Sequence, residues 1–162
     1  MCDFGRRQFV SRLGLGSLLL TPLAVALSGC KKDNWPEGMG EIRWDRDTCI
    51  RCNMVISDRR FAAEIRGGPS QTVFMFDDVG CLLFWQRDKI DKYPWMTDAA
   101  TRFWVADSDS KSRDEMQWLD PRQASYVRKT SPMAYNFGAV SRAQSGSVDF
   151  NEMRRLTLAK GK

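Results

Sequence analysis

The chain has 162 residues, 43% of them hydrophobic and 28% charged, and this balance excludes wholesale disorder and leaves room for one compact domain or two small repeats sharing a core. The net charge of +5 falls to +3 once residues 1–29 are set aside, with 22 basic groups against 19 acidic ones in the remainder. That surplus is too small and too evenly mixed to make a nucleic-acid surface.

The amino-terminal stretch has the marks of a processing signal. Arg6 and Arg7 precede a short apolar run, residues 13–27, which Gly14, Gly16 and Pro22 interrupt and which is too short to span a bilayer. The Arg-Arg-Gln-Phe-Val order resembles a twin-arginine export signal; a general secretory signal would need only its positive head. Leu27-Ser28-Gly29-Cys30 resembles a bacterial lipobox, in which Cys30 would carry lipid and become the first residue of the mature chain. The expected organisation is a signal peptide over 1–29, a lipidated tether over 30–39 and a folded domain over 40–160. The expected location is the periplasmic side of a bacterial membrane, held there by lipid chains that contribute about 0.8 kcal/mol per buried methylene.

In the folded part the pattern predicts a short strand at 40–44, then a strand at 60–66 with Phe61, Ala63 and Ile65 on one face. Gly67-Gly68-Pro69-Ser70 has turn chemistry, and residues 71–76 return as a second strand. Asp77-Asp78 opens a helix running to about Lys89, either aspartate being able to cap it, with Cys81 on its inward face. A linker at 93–95 precedes a strand at 102–106, a polar loop at 107–115 and a short strand at 116–119. Pro121 starts a helix through Val127. A loop at 131–138 leads into a strand around Ala139-Val140, and Asp149 to Glu152 forms a capping-box variant that opens a last helix through Leu158. The two halves echo one another faintly. Segregated strands and helices predict an α+β fold.

The chemistry gathers around Cys49-Ile50-Arg51-Cys52-Asn53-Met54, two thiols and a thioether in a chain with no histidine. C-x-x-C spacing serves zinc knuckles, redox dithiols, disulfides and soft-metal sites alike. Haem attachment would need a histidine where Asn53 stands. A closed zinc site would have only Cys81 left to draw on. Cys81 itself is either a thiol activated at a helix start or a small buried hydrophobe. Cys49, Cys52 and Cys81 are an odd number of thiols for an oxidising compartment, so at least one is not paired within the chain. Sulfur donors select soft cations such as Cu(I). Cys52 and Met54 can reach one ion, and Met133, on a proline-marked bend, can add a third sulfur. Met75, Met96, Met116 and Met153 fit core filling or surface.

Cys52-Asn53-Met54, Phe76-Asp77-Asp78-Val79-Gly80-Cys81 and Ser131-Pro132-Met133, together with the exported lipoprotein leader, resemble the NosL family over roughly residues 41–156. The resemblance implies two related ββαβ-type units of small antiparallel sheets with helices, similar to part of organomercurial lyase. It implies a Cu(I)-binding, non-enzymatic metallochaperone that delivers copper for assembly of a copper enzyme such as nitrous oxide reductase, with Cys52, Met54 and Met133 as ligands. Cys49 is additional to the family pattern and no histidine follows it, which brings Cys49 and Cys81 in as further candidate ligands. The expected partners are a copper-enzyme assembly apparatus or an apo-enzyme, plus the membrane through the anchor, with the chain itself a monomer. The alternative is an exported thiol–disulfide oxidoreductase using Cys49 and Cys52.

Overall fold

The computed structural model describes residues 35–161. The fold is built outward from one hairpin. β1 (Ala63–Gly67) and β2 (Thr72–Phe76) pair antiparallel from Ala63 opposite Phe76 to Gly67 opposite Thr72. The reversal between them needs left-handed backbone at Gly68 (φ 73°) and Gln71 (φ 50°). The Trp95 ring lies against Gly67 and Gly68, where a Cβ would stand 2.7 and 2.9 Å from its carbons. A side chain at either glycine would push off the 3-10 turn Pro94–Thr97, which replaces the linker expected there.

β3 (Arg102–Ala106) pairs with the other edge of β1, and β4 (Trp118–Leu119) extends β3, giving an antiparallel sheet of order β2-β1-β3-β4. Residues 61–65 are buried on both faces rather than on the single expected face. The cover on the second face is the segment expected to be the strand at 40–44. It is irregular instead: Gly38 (φ 81°) and Asp45 (φ 62°) break the extended backbone, and the Asp47 carboxylate captures both the backbone N–H and the guanidinium of Arg43. Its Gly40 N–H donates to Glu64 Oε1 at 2.7 Å, fixing it across the sheet.

α1 (Val79–Lys89) begins at Asp78, whose side chain accepts from the Gly80 N–H at 2.8 Å, and ends with Arg87 and Lys89 near the negative end of its dipole. Every residue from Val79 to Phe84 is buried, so the first turns are enclosed all round instead of presenting a stripe. α1 packs on β1 and β2 on one side and on the carboxy-terminal helix on the other.

The second half repeats the ββα order on a smaller, two-stranded sheet. The expected helix at 121–127 is a single turn closed on the Asp120 carbonyl, after which the chain enters β5 (Ser125–Arg128). Tyr126 decides this: its backbone pairs with β6 (Phe137–Val140) and with Val148, and its hydroxyl donates back to the Pro121 carbonyl at 2.8 Å. α2 (Phe150–Leu158) follows, capped by Asp149, which accepts from the Glu152 N–H as expected. The first half is therefore ββαββ, and the second is ββα with no closing strand among the described residues. The fold is α+β, small antiparallel sheets with two helices.

The expected leader, the lipidation site Cys30 and the first part of the tether lie outside the described residues. Among the described residues no helix is long and apolar enough to cross a membrane.

Candidate metal centre

The knuckle at residues 48–55 is a closed loop. Thr48 and Val55 form an antiparallel bridge, the Cys49 N–H donates to the Met54 carbonyl at 2.8 Å, and the Asn53 N–H donates to the Cys49 carbonyl at 2.9 Å. Asn53 holds left-handed backbone (φ 59°), a conformation its short polar side chain tolerates better than most. The Ile50 N–H donates to the Met75 carbonyl at 3.0 Å, which ties the loop to β2. The loop is thus held in register with the strand that runs straight into Asp77.

Across from it, the start of α1 supplies a third thiol. One donor atom from each of Cys49, Cys52, Asp77 and Cys81 lies within 4.8 Å of all the others. A metal about 2.3 Å from each sulfur sets the sulfurs a little under 4 Å apart, so closure needs a contraction of about 1 Å at most. All three thiols are free. Cys49 and Cys81 are fully buried, whereas Cys52 is only partly covered. The cluster therefore has an inner and an outer end.

Asp77, the neighbour of the capping residue, does not cap. It is 2% exposed; its Oδ1 accepts from Cys52 Sγ at 3.5 Å and its Oδ2 has no hydrogen-bond partner. A buried carboxylate oxygen without a partner is costly in an apo site and favourable beside a cation. Sequence reasoning missed this residue. The available signal was the doublet itself, since one helix start needs only one side-chain cap.

The protons on the sulfurs are unevenly held. The Cys49 thiol is brought down to about 7, chiefly because Cys81 donates to it and further because the backbone N–H groups of Cys52 and Asp77 do so too. Burial pushes Cys52 up to about 12. Cys81 is also raised, first by its hydrogen bond to Cys49 and then by burial. Near neutrality the raised Cys52 and Cys81 thiols keep their protons, which an arriving cation would have to displace.

The loop 131–136 closes over the start of α1. The buried carboxylate of Asp78 receives a short hydrogen bond from the Ser131 hydroxyl, and burial raises it to about 6. Ser131 Oγ accepts from the Asn136 N–H at 2.9 Å, and Ala134 and Asn136 both take left-handed backbone, so the loop is tightly folded on itself. The Tyr135 ring sits where a Cβ on Gly80 would be, and its hydroxyl accepts from Arg51, between the two knuckle cysteines, at 2.9 Å. Knuckle, helix start and loop form one connected unit.

Of the five sulfurs singled out from the sequence, Cys49, Cys52 and Cys81 converge. Met54 lies on the knuckle with its side chain 49% exposed. Met133 is half-buried, packed against the main core through the loop that Asp78 holds. Ile50, Met54 and Val55 are the exposed large hydrophobic residues of the described chain, and all three are on the knuckle.

These elements define an α+β protein with a buried thiol–carboxylate cluster able to hold a metal ion. No family model matches the chain, and no curated protein matches it. Among solved structures it is similar to the copper chaperone NosL from Shewanella denitrificans. The two are 16% identical, with a TM-score of 0.51 and coverage of 76% of this chain and 89% of that one. The chain has the NosL fold.

Proposed function

We propose that this protein is an extracytoplasmic Cu(I) metallochaperone, a lipoprotein tethered through Cys30 on the periplasmic side of the membrane, which delivers copper for assembly of a copper enzyme such as nitrous oxide reductase. The observation that carries the reading is the meeting of Cys49, Cys52 and Cys81 with Asp77 at one point. Thiolates select soft monovalent copper over the hard cations that are far more abundant. The fold shared with a copper chaperone supports the same assignment.

The gradient of burial suits transfer rather than storage. An incoming ion meets the exposed Met54 thioether and the partly covered Cys52 first, and Cys49 and Cys81 hold it from within. Met133 adds a thioether from the second half of the fold. A partner's sulfur can enter at the outer face while the inner thiolates still hold the ion, so copper is never released to water. The exposed apolar side chains of Ile50, Met54 and Val55 supply contact area for that partner around the exchange point.

A competition titration against a chromophoric Cu(I) chelator, under anaerobic reducing conditions, tests the reading. One Cu(I) per chain is expected, weakened by at least about a hundredfold in Cys52→Ser. Unchanged affinity in that variant would remove Cys52 from the site, and metal-free disulfide reductase activity would point to a redox protein instead.

A further inference from the structure

The Asp77-Asp78 doublet faces two ways. Asp77 Oδ1 accepts from Cys52, 25 residues upstream, while Asp78 Oδ2 accepts from the hydroxyl of Ser131, 53 residues downstream. Two adjacent carboxylates thus register two distant loops against a single helix start. Helix capping alone explains only the Asp78 bond to the Gly80 N–H. It does not explain why a completely buried carboxylate should take a further donor from the opposite half of the chain.

We propose that Asp78, acting through Ser131, is a positioning residue for copper: it holds the 131–136 loop so that the Met133 thioether is presented to the ion that the knuckle thiols bind. The inference rests on the Cu(I) reading given above. Asp78 touches no metal. Ser131, two residues before Met133, donates to the Asp78 carboxylate and closes the loop by accepting from the Asn136 N–H. Tyr135 fastens the same loop to Arg51 in the knuckle, so that the loop and the thiols keep one relative position. Sequence distance between the sulfurs is thereby converted into a fixed geometry before any ion arrives, which lowers the ordering cost of binding.

The test is a double-mutant cycle read by Cu(I) affinity, using the folded chain with chelator competition. Ser131→Ala removes the donor and leaves the Asp78 cap intact; Asp78→Asn keeps a side-chain acceptor for Gly80 and serves as the second probe. Each is made alone and with Met133→Ala. We expect Ser131→Ala and Asp78→Asn each to weaken Cu(I) binding about tenfold, and to have no further effect once Met133 is alanine. The copper X-ray absorption spectrum of Ser131→Ala should lose one sulfur neighbour relative to the unaltered chain. If Met133→Ala weakens binding but Ser131→Ala weakens it equally in both backgrounds, the positioning role is overturned and the copper reading stands. The positioning role is likewise overturned if Met133→Ala has no effect while Cys52→Ser does. Should neither Met133→Ala nor Cys52→Ser alter affinity, the copper reading itself falls, and this inference with it.

Discussion

Cys52 Sγ lies 3.5 Å from Asp77 Oδ1, and the other oxygen of that carboxylate is buried with nothing to accept from. In the absence of a cation, the pairing leaves a carboxylate oxygen desolvated beside three sulfurs. A bound cation relieves that cost. Asp77→Asn should therefore stabilise the metal-free protein, by about 1 kcal/mol or more, because it removes a buried carboxylate oxygen that has no partner. Urea denaturation of the two metal-free proteins measures this, and a loss of stability in the variant would show that the carboxylate is satisfied without metal.

Gly80 shows how closely the loop is packed on the helix start. In most helix interiors Gly→Ala gains up to about 1 kcal/mol. Here the added Cβ would run into the Tyr135 ring, itself stacked on Phe84 with ring centroids 5.4 Å apart. Overpacking of that kind costs about 1–3 kcal/mol and outweighs the propensity gain. Gly80→Ala should lower the denaturation midpoint, and Tyr135→Ala should remove most of that penalty in the double variant. Additive losses would show that the two residues do not meet in solution.

Glu64 stands outside the thiol cluster and gives the protein a pH dependence of its own. It is completely buried, with one oxygen on the Gly40 N–H and the other unpartnered, and burial raises its carboxyl from the ordinary 4.5 to about 7, with the Gly40 N–H and Arg66 opposing. The folded value lies above the unfolded one, so its contribution is fully present below about pH 4.5 and is lost as the pH rises through 7. Between those limits the protein should lose about 2–3 kcal/mol that Glu64→Gln retains. Asp78, raised in the same direction, remains in both proteins, so the difference between their stability curves across that range isolates Glu64. Parallel curves would contradict the assignment.

The elements that could be read from the sequence were those where local and tertiary preferences agree. The β1–β2 hairpin, the Asp78-capped α1, β3, and the Asp149-capped α2 all carry turn, cap or alternation signals that the tertiary fold reinforces. Two segments went the other way for identifiable reasons. The proline start at 121 was outweighed by Tyr126, which pairs with β6 and Val148, and the stretch at 40–44 was held out of a sheet by Gly38, Asp45 and the Asp47–Arg43 contact. At the site, sulfur was legible because cysteine spacing and the lack of histidine narrow the chemistry. Asp77 was not, because an aspartate before a helix looks like a cap, and only the geometry shows that Asp78 takes that task and leaves its neighbour to the thiols.

The most direct test is native mass spectrometry of the reduced chain after exposure to one equivalent of Cu(I), beside a variant with Cys49, Cys52 and Cys81 all replaced by serine. One copper ion is predicted on the unaltered chain and none on the variant, with both folded. Copper retained equally by the variant, or absent from both, would contradict a thiol-held copper site.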